Sequence, residues 1–159
     1  MTVRIPLGPK TRSGPFHANM IESWLTNDPG LIIVTPSNPQ DAYDLLIESH
    51  HLPDPVVDLE HIGLYGLRGG ITGWGKSINQ IVDTEAVMIR LENGDSSIGK
   101  ARVVREGEDL TIVTWGAMVH VALDAAENVS NRGIEVEVVD LRTLVPFDAE
   151  TCINSVLRL

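Results

Sequence analysis

The sequence has little cysteine, little positive charge and no long apolar run. Cys152 is the one cysteine among 159 residues, so no disulfide can form within the chain. Acidic residues outnumber basic ones by 22 to 12, and the net charge is −10. This balance argues against nucleic-acid binding, because phosphate neutralisation needs clustered Lys and Arg. No apolar run approaches the roughly 20 residues that span a bilayer, so no membrane role is predicted.

The N-terminus also lacks the apolar segment of a secretory signal. This predicts a cytoplasmic protein, or one of the mitochondrial matrix if the source is eukaryotic. The length suffices for one domain of ordinary size or for two parts of larger ones. With 43% hydrophobic residues, the composition is typical of a globular α/β protein.

The first half of the chain predicts a βαβ unit. An apolar run over 31–34 without alternation indicates a strand covered on both faces. Asn38 is placed to cap a helix over 39–49, and another strand follows over 55–59. Two strands joined by a helix at this spacing predict a parallel sheet. Apolar residues of the helix are expected to be buried and its acidic residues, Asp41, Asp44 and Glu48, to lie mainly on the solvated side.

The second half predicts another unit of the same kind. Residues 110–114 and 135–140 are expected to be parallel strands joined by a helix, and Asp148 is placed to cap a final helix. Between the two units, residues 66–75 hold five glycines and residues 86–91 are predicted to form a strand. The sequence therefore predicts parallel sheets with flanking helices, separated by a connector.

One histidine stands at a place suited to proton transfer. A Gly/Pro-rich loop is predicted to deliver His17 to the start of a short amphipathic helix that ends near Leu25. Imidazole changes charge near working pH, so it can act as an acid or a base. A surface or capping histidine is the plain alternative. The preceding loop holds Lys10 and Arg12 and could bind an anion, or it could form an irregular lid.

Other reactive side chains have plainer interpretations. His50 and His51 follow the helix over 39–49, and protonated imidazoles at a helix C-terminus interact favourably with the helix dipole. The alternative is that the pair binds a metal ion. His120 begins a helix, which favours a neutral packing or interface role. Cys152 lies among apolar helix residues and is expected to be a buried, inert thiol.

Several short motifs, in a fixed order, resemble one known family. The β subunit of the thiamine-diphosphate-dependent decarboxylating component of 2-oxoacid dehydrogenase complexes, a relative of transketolase, shows similar motifs in this order. The pyruvate, branched-chain and acetoin enzymes are of this type. The motifs here are Gly14-Pro15-Phe16-His17-Ala18-Asn19, Glu22-Ser23-Trp24, Pro29-Gly30-Leu31, Thr35-Pro36-Ser37, Leu59-Glu60-His61, Gly99-Lys100-Ala101, Thr114-Trp115-Gly116-Ala117-Met118-Val119-His120 and Val139-Asp140-Leu141-Arg142-Thr143.

The resemblance implies a transketolase-like α/β fold with two partial domains. Residues 1–66 would belong to a pyrimidine-binding domain, 67–99 to a connector and 100–159 to a transketolase C-terminal domain. The glutamate with which the family activates the cofactor has no counterpart here, so the chain looks like a fragment of a β subunit.

The resemblance also implies a set of site residues. It places His17 beside the thiazolium ring, as a proton donor or acceptor that assists acyl transfer to the lipoyl group. Glu60 would lie near the cofactor and subunit interface as a secondary candidate, with structural pairing as the alternative.

A potassium ion in the family lies near the positions of Thr2, Ser49, Leu52 and Asp54. Leu52 stands where a carboxylate is common, so one oxygen ligand is lost and a weak or absent site is expected.

The activity that the resemblance implies is oxidative decarboxylation of a 2-oxoacid with acyl transfer. Thiamine diphosphate and Mg²⁺ would be the cofactors, with K⁺ as an additional ion. The α subunit, a second β subunit and the lipoyl acyltransferase core would be the partners. Two alternatives stay open: a non-catalytic interaction module that dimerises through its sheet edges and helices, and a relative of transketolase or deoxyxylulose-phosphate synthase.

Overall fold

The computed structural model describes residues 1–8, 14–65 and 80–158. The first half runs through β1 (Thr2–Leu7), α1 (Gly14–His17), α2 (Glu22–Leu25), β2 (Ile32–Val34), α3 (Pro39–Ser49) and β3 (Val56–His61), with a 3₁₀ turn at Ile62–Leu64. The second half runs through α4 (Ala86–Glu92), β4 (Arg102–Arg105), β5 (Leu110–Thr114), α5 (Met118–Ser130), β6 (Val136–Asp140), β7 (Thr143–Val145) and α6 (Ala149–Val156). None of the helices in these ranges is long and apolar enough to cross a membrane.

The strands form two sheets. The first has the order β1-β3-β2-β7, in which β1 and β2 pair parallel with β3 while β7 pairs antiparallel with β2. The second has the order β4-β6-β5, with β5 parallel and β4 antiparallel to β6. The predicted α/β class with parallel strands and flanking helices is confirmed. The two antiparallel strands, β4 and β7, were not predicted from the sequence.

Apolar side chains cover both faces of the first sheet. Ile33 and Val34 are neighbours on β2 and both are fully buried, as the uninterrupted apolar run predicts. On one face Leu45 of α3 packs against Val34 and Val56. The other face carries a cluster that includes Leu7, Ile33, Val57 and Leu59, with Ile21 and Leu25 packed against it.

Side-chain caps begin two helices where the sequence predicts them. The Asn38 side chain accepts a hydrogen bond from the Asp41 N–H at 3.0 Å at the start of α3. Asp148 accepts one from the Thr151 N–H at 3.0 Å at the start of α6. Each cap satisfies a backbone donor that the first helical turn leaves without a partner.

The acidic face of α3, formed by Asp41, Asp44 and Glu48, is buried rather than solvated, so that prediction is wrong. These residues are 1%, 5% and 1% exposed. The reason is that a later part of the chain packs over them and supplies donors. Arg90 of α4 lies 2.7 Å from Asp44 and 3.3 Å from Glu48, and the Ser97 N–H donates to Glu48 at 2.7 Å.

Asp41 contacts the second unit through two arginines. Its two carboxylate oxygens lie 2.8 Å from Arg102 and 3.3 Å from Arg142. Arg142 has a positive φ of 57°, which is uncommon for a residue with a side chain. Its guanidinium also donates to the Lys100 carbonyl at 2.7 Å, and its N–H donates to Asp140 at 3.1 Å. We call Asp41, Asp140 and Arg142 the ionic junction.

The strand predicted over 86–91 is wrong, because these residues form the helix α4. A short apolar run has no periodicity that separates a strand from a helix. The side chain of Asp83 accepts hydrogen bonds from the Glu85 and Ala86 N–H groups at 3.0 and 3.1 Å, which favours a helix start. Val87 is then buried, and Arg90, three residues on, faces the same way toward α3.

The single amphipathic helix predicted to begin at His17 is replaced by two short helices. His17 ends the one-turn helix α1, and α2 is a separate turn. Pro15 in the first turn of α1 explains the early start, because proline is tolerated there. Ile21 and Leu25 pack into the core, whereas Trp24 is 69% exposed, so only part of the predicted apolar face is buried.

Candidate functional site

Glycines and polar side chains meet at the carboxyl ends of β1, β3 and β5. The imidazole of His61 lies against the backbone of Gly8 and near Gly116. If position 8 carried a side chain, its Cβ would lie only 2.5 Å from Cε1 of His61, and a Cβ at position 116 would lie 3.8 Å from Cδ2. The Trp115 indole N–H faces Glu22 Oε1 at 3.4 Å, which connects this place to α2. We call Gly8, Glu22, His61, Trp115 and Gly116 the edge cluster. Ligands of open α/β sheets usually bind at such a strand edge.

His61 is the titratable centre of the edge cluster. It ends β3 and is 6% exposed. Burial lowers the pKa of its imidazole, and the negative charge of Glu22 opposes that shift. The imidazole therefore favours its neutral form at neutral pH.

Glu60, the secondary cofactor candidate, points to the opposite face of β3 from His61. Its carboxylate accepts hydrogen bonds from Arg4 and from the Tyr65 hydroxyl. Burial and the contact with Glu60 raise the pKa of Tyr65 to about 12. These contacts are those of a structural pairing, and a cofactor role for Glu60 stays a prediction.

Several predicted residues fall outside what the structure describes. His17 closes α1, but its side chain is not among the described parts. Lys10, Arg12 and the glycine-rich stretch 66–75 also lie outside the described residues. The anion-loop and lid interpretations and the catalytic role of His17 stay predictions.

The residues of the predicted potassium site are only partly brought together. Thr2 Oγ1 and Ser49 Oγ lie 3.0 Å apart, and the Ser49 hydroxyl donates to the Leu46 carbonyl at 2.7 Å. Leu52 packs against the apolar cluster beneath α3, and Asp54 is exposed on the following loop. Thr2 and Ser49 thus satisfy one another, and the ion stays a prediction.

The histidine pair at the end of α3 turns back onto its own helix. Nδ1 of His50 lies 2.7 Å from the Leu46 carbonyl, and Nδ1 of His51 lies 3.0 Å from the Ile47 carbonyl. Within the described ranges, no group of three or more His, Cys, Asp or Glu is placed to hold a metal ion. The contacts with the helix carbonyls fit the helix-end interpretation, and the metal site stays an untested alternative.

Asp140 and His120 of the second unit both contact Ser37 of the first unit. Asp140 is fully buried, and burial raises its pKa to about 6 although the Ser37 hydroxyl donates to it. Nε2 of His120 lies 2.7 Å from the Ser37 carbonyl oxygen, which fits the predicted interface role. Cys152 on α6 is half-buried rather than fully buried as expected, and burial raises the pKa of its thiol. The predicted inertness of the thiol stays a prediction.

The fold resembles that of solved transketolases. A split-gene transketolase, solved as an inactive β4 tetramer, matches 99% of this chain and 44% of its own with a TM-score of 0.73 and 19% identity. A transketolase mutant from Pichia stipitis matches 92% of this chain and 19% of its own with a TM-score of 0.60 and 16% identity. At these identities the likeness shows a transketolase-type fold and no more.

Comparison of sequences finds relatives of higher identity than these structures. The chain is 43% identical over 156 residues to the pyruvate dehydrogenase E1 component subunit beta of Bacillus subtilis (strain 168), which covers 98% of this chain and 43% of the relative. The same subunit of Staphylococcus aureus (strain N315) is 41% identical over the same coverage. Residues 99–158 match the family of the transketolase C-terminal domain. The resemblance to these β subunits is confirmed, and the chain spans less than half of their length.

Asp58 is a buried carboxyl group on β3, on the strand face opposite to His61. Asp58 is 1% exposed on β3, and its Oδ1 has no hydrogen-bond partner in the described part of the chain. Burial raises its pKa to about 7, and Glu60 adds to the shift. A carboxylate at this place costs free energy because the charge of Arg4 only partly offsets its desolvation.

Replacement of Asp58 is therefore expected to remove a pH-dependent loss of stability. Between the ordinary value of 3.8 and about 7 the folded state binds the proton more tightly, so stability falls as pH rises. In urea unfolding at pH 5 and pH 8, Asp58→Asn should reduce the difference between the two pH values by about 1–3 kcal/mol. The exposed Asp28→Asn is the control. An unchanged difference in Asp58→Asn would contradict the assignment.

Proposed function

We propose that this chain serves in the β subunit of a thiamine-diphosphate-dependent 2-oxoacid dehydrogenase. The supporting observation is the 41–43% identity with pyruvate dehydrogenase E1 β subunits over 98% of the chain. The whole enzyme would carry out oxidative decarboxylation of a 2-oxoacid and transfer the acyl group to a lipoyl group. Pyruvate is the favoured substrate over branched-chain or acetoin-type substrates, because the relatives above are named for it.

His17 is the residue proposed to transfer the proton. It lies between Gly8 and Glu22 along the chain, and both of these belong to the edge cluster. The partners proposed are an α subunit, a second β subunit and the lipoyl acyltransferase core. The compartment proposed from the sequence is the cytoplasm, or the mitochondrial matrix of a eukaryote.

In the resembled family the diphosphate is bound through a metal by the α subunit, so this chain would supply only part of the cofactor site. Within the described ranges, no group of three or more His, Cys, Asp or Glu is placed to hold a metal ion. The residue that this chain is proposed to bring to the cofactor is His17.

A non-catalytic module that pairs through a sheet edge is the second candidate. It is supported by β5, which ends the order of the second sheet and exposes Leu110 and Val113 by 51% and 37%. A direct relative of transketolase or deoxyxylulose-phosphate synthase is less favoured, since identity to the transketolase structures is 15–19%.

The chain alone is expected to bind thiamine diphosphate weakly or not at all and to show no decarboxylase activity. The reason is that the glutamate with which the family activates the cofactor has no counterpart in this sequence, and that the diphosphate is expected to bind to the α subunit. Calorimetric titration of the chain with thiamine diphosphate and Mg²⁺ measures this directly. A dissociation constant in the low micromolar range would refute the expectation.

Potassium is expected to stabilise the chain little. Thr2 and Ser49 bond to each other, and Leu52 offers no oxygen ligand. Thermal unfolding in KCl and in NaCl at equal ionic strength should give the same midpoint. A midpoint raised by K⁺ alone would show that the site is present.

His17→Ala is expected to slow turnover in an α/β assembly that contains this chain in a full-length β subunit. General acid–base assistance is worth about 10²- to 10⁴-fold, so reductive acylation should fall by at least the lower factor. Cofactor binding and the fold should be retained. The matched control is His50→Ala, a histidine at the exposed end of α3. Near wild-type turnover in His17→Ala would favour the non-catalytic interpretation.

A further inference from the structure

A polar stripe on one side of α3 holds the part of the chain that precedes β4. Gln40, Asp44 and Glu48 are four residues apart, so they share one side of the helix. Residues 80–97, which include α4, lie along this side. We call residues 80–97 the strap, and Gln40, Asp44 and Glu48 the polar stripe.

The side-chain amide of Gln40 holds the start of the strap. It donates to the Asp83 carbonyl at 2.9 Å and accepts from the Asp83 N–H at 2.7 Å, so it pairs with the backbone as a neighbouring strand would. The Gln80 side chain accepts from the Gln40 backbone N–H at 3.1 Å. The Gln40 amide also donates to Asp44 at 2.8 Å, which joins the first two members of the polar stripe.

Glu48 holds the end of the strap. One of its carboxylate oxygens accepts from the Ser96 hydroxyl at 2.8 Å and from the Ser97 N–H at 2.7 Å. The other accepts from Arg90 at 3.3 Å, and the same guanidinium lies 2.7 Å from Asp44. The strap thus supplies donors to two buried carboxylates, which would otherwise be desolvated without compensation.

Apolar packing adds little to this attachment. Of the apolar side chains described in the strap, only Val87 is buried, while Ile81, Met88 and Ile89 are exposed by 96%, 45% and 56%. Release of the strap would therefore expose little apolar surface, and water would hydrate the freed carboxylates and Arg90. Because a buried ion pair gains little over its hydrated groups, release costs less free energy than the unfolding of a sheet.

We propose that the strap is a conformational device that detaches from the polar stripe as a whole while both sheets stay folded. Its two ends are held by one helix face, and Arg90 connects Asp44 to Glu48, so the loss of one end weakens the other. Detachment uncovers both carboxylates, so the strap controls whether α3 presents an acidic face. The ionic junction lies outside the strap and keeps the second unit attached in the detached state.

Amide hydrogen exchange of the chain, resolved by NMR, tests the proposal because two N–H groups of the strap donate to the polar stripe. The Asp83 N–H donates to Gln40 and the Ser97 N–H donates to Glu48, so both exchange when the strap is released. In the wild type their protection factors should be similar to each other and about tenfold or more below those of β3 and β6. Their dependence on urea should also be weaker, because detachment exposes less surface than unfolding.

Two variants test whether the strap detaches as a whole. Gln40→Ala removes the contact at the start of the strap, yet it should lower the protection of Ser97 at the other end about fivefold or more and leave β3 unchanged. Arg90→Gln should lower the protection of both Asp83 and Ser97, because it leaves the stripe carboxylates without their cation. Arg132→Gln, the same substitution at an exposed arginine of the second unit, is the control.

Equal protection and equal urea dependence of the strap and of β3 would overturn the proposal, because the strap would then open only when the sheet unfolds. A loss of protection confined to Asp83 in Gln40→Ala would also overturn it, since the two ends would open separately. The wild-type comparison needs no variant and decides the matter even if Arg90→Gln does not fold.

Discussion

The ionic junction between Asp41 and Arg142 is the contact on which the arrangement of the two units depends. Asp41 is 1% exposed and accepts from both Arg102 and Arg142. A buried carboxylate is tolerated when it is paired and hydrogen-bonded, but its removal leaves the partner charge unpaired. Within the junction, Asp140 ends β6 and Arg142 lies two residues further on, immediately before β7, which joins the first sheet. The first sheet is thus completed by a strand from the second half of the chain.

The junction also explains why the edge cluster can combine residues from both units. β3 brings His61 and the start of α5 brings Gly116, and these two elements meet only if the two sheets are fixed relative to each other. The Trp115 indole N–H, which faces Glu22 of α2 at 3.4 Å, also joins the two units. A site at this edge therefore depends on packing far from it.

Local signals account for much of the fold that could be predicted. The caps at Asn38 and Asp148 and the continuous apolar run of β2 depend on neighbours in sequence, and they are found where expected. The acidic face of α3 could not be predicted, because its burial depends on Arg90, Arg102 and Arg142, which are 42 to 101 residues away. Likewise, no local pattern marks Arg142 as a residue with positive φ. For the site, the Leu59-Glu60-His61 motif led to Glu60, while the structure draws attention to His61, whose ring lies against Gly8 and Gly116, both distant in sequence.

The most direct test of this account is differential scanning calorimetry of the chain and of Asp41→Ala. If the junction makes the two units one cooperative structure, the wild type should unfold in a single transition with equal calorimetric and van't Hoff enthalpies. Asp41→Ala should lower the free energy of unfolding of that transition by about 3–5 kcal/mol. Two separate transitions in the wild type, or an unchanged transition in Asp41→Ala, would contradict the claim that the buried ion pair unites the two units.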